Sequence, residues 1–237
     1  MKFKLYYIYI GALLLLACSP SYNLQSHEDK VVAIQSSADS TSLAIIAPYQ
    51  KAIEKEMSEV LTYTKYDLEK GRPQSTLGNF VTDLCLNYAD ADICVMNNGG
   101  LRTTINVGNI TRGKLYELMP FENELVLLEL DESDYAGLLN YICKRGGEPF
   151  SGINITMTKE GDVIKHSTPV DFKKGEKIKV LTSDYLANGG DKMSFFQGKE
   201  QIKVGIKLRD AIIDYCSKTD TIDIQLDNRI KVISNEQ

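Results

Sequence analysis

Asp92-Ile93-Cys94-Val95-Met96-Asn97-Asn98-Gly99-Gly100-Leu101-Arg102 runs from a short apolar stretch into a Gly-Gly turn closed by a cation. Residues 93–96 are too few for a helix and read as a buried strand that the glycines terminate. A second turn, Tyr185-Leu186-Ala187-Asn188-Gly189-Gly190-Asp191, closes on an anion instead. Paired glycines reach positive φ and let another molecule approach the main chain closely. Two such turns with opposite charges at their tips suit a small polar ligand whose two ends differ.

Around these turns helices and strands are interspersed. Ile46, Tyr49, Ile53, Met57 and Leu61 recur at helical spacing and predict a helix over 43–63. Ser75-Thr76-Leu77-Gly78-Asn79 reads as a turn into a second helix with Phe80, Leu84 and Tyr88 on one face. Gly108-Asn109-Ile110-Thr111-Arg112 reads as a turn before a helix holding Tyr116 and Leu118. Residues 125–130 are a nearly continuous apolar strand, and 132–145 follow with helical spacing. Residues 153–157 and 177–181 alternate as strands, 208–216 are helical, and 229–233 close the chain as a short strand. Strict strand–helix alternation is missing. The pattern therefore predicts an α+β fold, a layered sandwich of mixed sheet and helices, over a doubly wound parallel sheet.

The chain begins with Lys2 and Lys4, an apolar run over 6–16, and Leu15-Leu16-Ala17-Cys18. That ending resembles a bacterial lipobox, which implies a signal peptide at 1–17 and lipidation of Cys18. An ordinary signal peptide, or a buried helix with Cys18 incidental, is the alternative. Residues 18–42 are polar and Ser-rich and read as a flexible tether. Residues 43–237 suffice for one substantial core. The expected location is the bacterial cell envelope, lipid-anchored to a membrane, at the outer membrane or the periplasmic face.

The 27 basic and 32 acidic residues give a net charge of −5, and no basic run occurs, which argues against a nucleic-acid partner. Cys85, Cys94, Cys143 and Cys216 match no metal-site spacing and lie in apolar surroundings, so buried free thiols are expected. The two histidines are His27 and His166. A dinuclear hydrolase needs a cluster of His, Asp and Asn ligands, which these do not supply. Gly-x-Ser-x-Gly, P-loop and His-Glu-x-x-His motifs are missing as well. No catalytic residue and no cofactor are assigned to this chain.

The candidate binding residues each carry two readings. Arg102 offers a planar fork for phosphate or carboxylate, or else a surface ion pair. Phe121 and Tyr185 can sandwich a flat ring, or else fill the core. Asp191 can accept from the vicinal hydroxyls of a sugar, or else only shape a turn. Arg72 stands just ahead of a helix start, where anions collect, or is a solvated loop residue.

Leu77-Gly78-Asn79-Phe80-x-x-Asp83, Asn97-Asn98-Gly99-Gly100-Leu101-Arg102, Pro120-Phe121 and Tyr185-Leu186-Ala187-Asn188-Gly189-Gly190-Asp191 occur in this order. Together they resemble the C-terminal, substrate-binding domain of 5′-nucleotidases. Asp227-Asn228-Arg229-Ile230 is similar to that family's closing segment. The resemblance implies that a base stacks between Phe121 and Tyr185, where the family usually has a second Phe. It implies ribose hydroxyls on Asp191, and base, ribose or phosphate contacts from Asn97 and Arg102 across the turn that includes Gly100. Asn98 replaces the first of three usual glycines. Arg72 is the candidate for an arginine that the family places before the Leu-Gly-Asn helix, although the spacing is one residue short.

Family enzymes carry a metallophosphatase domain where the tether stands here. The expectation is a subunit that binds a nucleoside monophosphate or nucleoside for a separately encoded metallophosphatase partner, which would hold the divalent metals. The alternative is a non-catalytic envelope lipoprotein that binds nucleosides or nucleotides.

Overall fold

The computed structural model describes residues 39–234, so the signal peptide, Cys18 and most of the tether lie outside the described residues. Helix α1 spans Ser40–Met57 and buries none of its residues. Contacts divide the chain between Ala44 and Ile45, and the elements that follow belong to the second unit. The helix expected to reach residue 63 stops at Met57. Strand β1, Val60–Thr64, takes over, with Thr62 and Thr64 turned inward and Val60 and Tyr63 exposed. Branched Val60, Thr62 and Thr64 favour the extended backbone, and Leu61 falls at helical spacing from Met57 only by coincidence.

Helix α2, Thr76–Cys85, starts where Ser75 Oγ accepts the Gly78 N–H at 3.0 Å. Strand β2, Ile93–Val95, follows. Residues 108–111, read above as a turn, form strand β3, Gly108–Thr111, which pairs antiparallel with β1. Thr111 ends β3 and caps helix α3, Arg112–Leu118, by accepting the Lys114 N–H at 3.2 Å. Strand β4 is Glu124–Leu130. Helix α4, Glu132–Lys144, opens with a reciprocal capping box between Asp131 and Asp134.

Strands β5, Phe150–Ser151, β6, Ile155–Thr158, β7, Val163–His166, and β8, Ile178–Ser183, come next, so His166 ends a hairpin strand. Helix α5 is the single turn Asp184–Ala187, and strand β9 is Ile202–Lys207. Helix α6 is Leu208–Lys218, and strands β10, Thr221–Ile222, and β11, Ile230–Ile233, complete the described elements.

The central sheet has the order β5-β2-β8-β4-β9, with β2 parallel to β8 and the other pairs antiparallel. Two smaller sheets, β10-β1-β3 and β11-β6-β7, flank it. Alternation along β2 sends Cys94 into one core, with Phe80 and Leu84 of α2, Leu115 of α3 and Ile212 of α6. Ile93 and Val95 enter the opposite core, with Leu138, Leu139 and Ile142 of α4. This is the expected α+β layered sandwich. Cys85, Cys94, Cys143 and Cys216 are free and buried, and burial pushes the Cys143 thiol up to about 11 and Cys216 to about 12. Among the described residues no helix is long and apolar enough to cross a membrane.

This topology places the site. Because β2 and β8 are parallel, the turns that follow them leave the sheet at the same edge. Strand β4 runs antiparallel to β8 with Leu125 opposite Ser183, so the loop entering β4 emerges at that edge too. Three loops distant in sequence are thereby made neighbours.

Candidate functional site

Asn97, Gly99, Gly100, Arg102, Phe121, Asn123, Tyr185 and Asp191 line one cleft of about 390 Å³, within the range of small-molecule sites. Phe121 is 41% and Tyr185 46% exposed, so neither is a core residue. The Arg102 guanidinium lies 6.0 Å from the centre of the Phe121 ring and donates to the Gly99 carbonyl at 3.2 Å. One tip of the first turn is thus fixed to the loop that carries the aromatic.

The two turns are joined directly. Asn97 Nδ2 donates to Asp191 Oδ2 at 2.6 Å, and the Tyr185 hydroxyl donates to Asp191 Oδ1 at 3.0 Å. The Tyr141 hydroxyl donates to the Asp191 carbonyl at 2.8 Å, and burial pushes its pKa up to about 12, so it stays a donor. Asp191 sits at φ 51°, an uncommon region for a non-glycine residue, and these bonds hold it there.

The glycines serve this arrangement differently from the expectation. Gly99 and Gly100 do not adopt positive φ; a Cβ on Gly100 would stand 2.8 Å from Asn97 Oδ1. In the second turn Gly189 does adopt positive φ, 87°, and a Cβ on Gly190 would stand 2.5 Å from the Tyr185 ring. Space beside Asn97 and Tyr185 decides Gly100 and Gly190, and backbone conformation decides Gly189.

The loop carrying Phe121 is anchored from behind. The buried Arg209 donates to the Met119 carbonyl at 3.4 Å, pairs with Glu122, and stacks 4.3 Å over the Tyr116 ring. Lys207 also pairs with Glu122, and the Leu208 N–H donates to the Asn123 carbonyl at 2.9 Å. Lys207 and Arg209 together hold the Glu122 carboxyl down at about 2, against an ordinary value of 4.5. With its folded value below the unfolded one, Glu122 stabilises the fold fully above pH 4.5, and the contribution fades as pH falls toward 2. Melting temperature should therefore fall less between pH 6 and pH 3 in Glu122→Gln than in the wild type; an equal fall would remove this anchor.

Six of the seven residues read from sequence, Asn97, Gly100, Arg102, Phe121, Tyr185 and Asp191, share the cleft. Arg72 does not. It lines a neighbouring groove with Lys70, Gly71, Asn98, Gly99 and Arg145, and pairs with the buried Glu148. Asn123 was not legible, because nothing marks an Asn at a strand entrance. Glu148, which accepts the Asn98 N–H at 2.8 Å and so fixes the first turn, lies far off in sequence and belongs to no motif. Among the described residues no group of three His, Cys, Asp or Glu side chains is placed to hold a metal ion. Chemically, the cleft can stack a flat ring and hydrogen-bond a polyol or an anion beside it.

The family described as 5′-nucleotidase, C-terminal domain, matches residues 58–198. The endonuclease YhcR of Bacillus subtilis is 33% identical over 105 residues, 43% of this chain and 9% of that protein. A 5′-nucleotidase of Vibrio vulnificus is 23% identical over 197 residues, 78% of this chain and 36% of that protein. The crystal structure of a 5′-nucleotidase precursor from Thermus thermophilus superimposes with a TM-score of 0.67 at 25% identity, covering 83% of this chain and 44% of that one. The chain thus spans less than half the length of each of these relatives. With the ordered motifs, the shared fold and a family match over more than half its length, the chain belongs to the 5′-nucleotidase C-terminal domain family.

Proposed function

We propose that the chain is the nucleotide-binding subunit of a split 5′-nucleotidase-type hydrolase, anchored in the bacterial cell envelope through a lipid on Cys18. The observation that carries the reading is the pair of exposed rings, Phe121 and Tyr185, in one cleft with Asn97, Arg102 and Asp191. A base lies between the rings, the ribose hydroxyls meet the Asp191 carboxylate, and Arg102 serves the phosphate side. The relatives named above as 5′-nucleotidases support nucleoside monophosphates as the substrate class.

Hydrolysis of a phosphate ester in this family rests on two metals, and the described residues do not fit such a centre. The metallophosphatase half is assigned to a separate polypeptide. Mixing the two purified proteins should raise turnover of a nucleoside monophosphate above that of either alone. No gain, together with no physical association, would sink the split enzyme. Nucleoside binding without that gain would favour a binding lipoprotein, and Cys18→Ser should release either form from the membrane.

A further inference from the structure

Each binding turn contains an Asn-Gly dipeptide, Asn98-Gly99 in the first and Asn188-Gly189 in the second. The side-chain carbonyl carbon of an Asn lies within reach of the next residue's main-chain nitrogen, and glycine leaves that approach unobstructed. The two sequences are chemically alike, so the surrounding hydrogen bonds decide which of them reacts.

The second turn ties its Asn down. Asn188 Nδ2 donates to the Asp184 carbonyl at 2.7 Å, and its Oδ1 accepts from Gln201 Nε2 at 3.0 Å. The Gly189 N–H donates to the Leu186 carbonyl at 2.9 Å. Both the electrophile and the attacking nitrogen are therefore engaged, and reaction has to break these bonds first.

The first turn leaves both groups free. Asn98 is buried, and neither its Oδ1 nor its Nδ2 has a partner. The N–H groups on either side of Gly99 are used: Asn98 donates to Glu148 Oε2 at 2.8 Å, and Gly100 donates to the Asn97 carbonyl at 3.1 Å. Among the described residues no hydrogen bond engages the Gly99 N–H between them. Arg72 and Arg145 line the same groove as Asn98. Their positive charge favours the deprotonated Gly99 nitrogen and the oxyanion formed as that nitrogen adds to the amide carbon. A buried amide without partners calls for an explanation, and here it stands beside an unpartnered nucleophile.

We infer that Asn98-Gly99 is a self-modification site, at which the Gly99 nitrogen closes on Asn98 Cγ and the first binding turn converts to an aspartyl and isoaspartyl form. The new bond joins Gly99 N to Asn98 Cγ, the Cγ–Nδ2 bond breaks, and ammonia leaves with the Gly99 proton. Water then opens the five-membered imide. Cleavage between Cγ and the Gly99 nitrogen leaves Asp at position 98, and cleavage at the main-chain carbonyl leaves isoaspartate. Isoaspartate lengthens the main chain by one carbon just ahead of Gly99, whose carbonyl accepts from Arg102 at 3.2 Å. Either product also puts a second carboxylate beside the buried Glu148. Conversion therefore limits the lifetime of the cleft. The chemistry stands independently of the nucleotide reading, and only its effect on ligand affinity rests on that reading.

Ageing the full chain in mildly alkaline buffer, followed by peptide mass spectrometry with fragmentation that separates aspartate from isoaspartate, tests it. In the folded chain position 98 should convert about tenfold or more faster than position 188, which is what one or two hydrogen bonds on the competing amide are worth. In urea the two rates should converge. Equal conversion of the two turns in the folded chain, or an Asn98 that survives folded over a period in which urea consumes it, would overturn the site. Gly99→Ala should slow conversion at 98 and leave 188 unchanged. Its added Cβ meets Asn97 Nδ2 at 3.3 Å and Asp191 Oδ2 at 3.6 Å, so melting temperature should hold. An unchanged rate at 98 in that variant would show that the Gly99 nitrogen is not the nucleophile. Calorimetry with adenosine on fresh and aged chain should show binding capacity falling with the isoaspartyl fraction, and full capacity in converted protein would refute the limit on the cleft. If fresh chain binds no adenosine, the nucleotide reading falls while the mass measurement still decides the modification.

Discussion

Phe121→Ala with Tyr185→Ala should abolish measurable nucleoside binding while leaving the fold intact. Each aromatic face stacked on a base is worth about 1–3 kcal/mol, or roughly 5- to 150-fold in affinity. If the two faces act independently, the double variant loses about 30-fold to more than 10⁴-fold. The fold should survive, because both rings are more than two-fifths exposed and neither belongs to a core cluster. Tyr185→Phe separates the ring from its hydroxyl. It keeps the stacked face and removes the 3.0 Å bond to Asp191, so affinity should change by far less than in Tyr185→Ala. Calorimetry with adenosine and its monophosphate reads all three variants against the wild type. Affinity in the double variant within twofold of wild type would take the ring sandwich out of the site.

The cleft was legible in the sequence to the extent that its residues sit in local punctuation. A Gly-Gly pair announces a turn, and Arg102 and Asp191 stand within two residues of one, so their place at the mouth of a cleft follows from the chain itself. Residues that act across the fold carry no such mark. Glu148 reaches the first turn from between α4 and β5, and Arg209 reaches the Phe121 loop from α6. Both look in sequence like ordinary charged residues. Arg72 shows the same limit in reverse. Its place before α2 was readable, but its pairing with Glu148 draws it into the adjacent groove.

For the fold, long elements with local signals were readable, as in α4 with its Asp131 cap and in β4 with its apolar run. Strands stabilised by distant partners were not. β1 continued the apparent period of α1, β3 was hidden by Gly108 at φ 125°, and β9 lies at the sheet edge with half its residues exposed. In each case the pairing partner, not the local pattern, selects the extended backbone.

Arg229→Met should destabilise the domain by about 3 kcal/mol without changing affinity per folded molecule. Arg229 is 9% exposed, and its guanidinium joins three segments. Nη1 donates to Asp83 Oδ1 and to the Phe150 carbonyl, each at 2.8 Å, and to Ser151 Oγ at 3.0 Å. Nη2 donates to Asp83 Oδ2 at 2.8 Å and to Asp227 Oδ2 at 2.7 Å. The chain's last strand is thus tied to α2 and to β5. Removing one member of a buried pair costs about 3–5 kcal/mol, because the partners stay behind uncompensated. Asp83 and Asp227 are 39% and 51% exposed, so water relieves part of that cost and the lower end applies. At about 2–4 °C per kcal/mol for a domain of this size, melting should fall by roughly 6–12 °C. The Lys144–Asp162 pair supplies the control. With side chains 57% and 59% exposed, Lys144→Met should cost less than about 1 kcal/mol. Urea titration of both variants decides the matter, and a midpoint for Arg229→Met no lower than for Lys144→Met would show that the closing segment is not what binds these layers together.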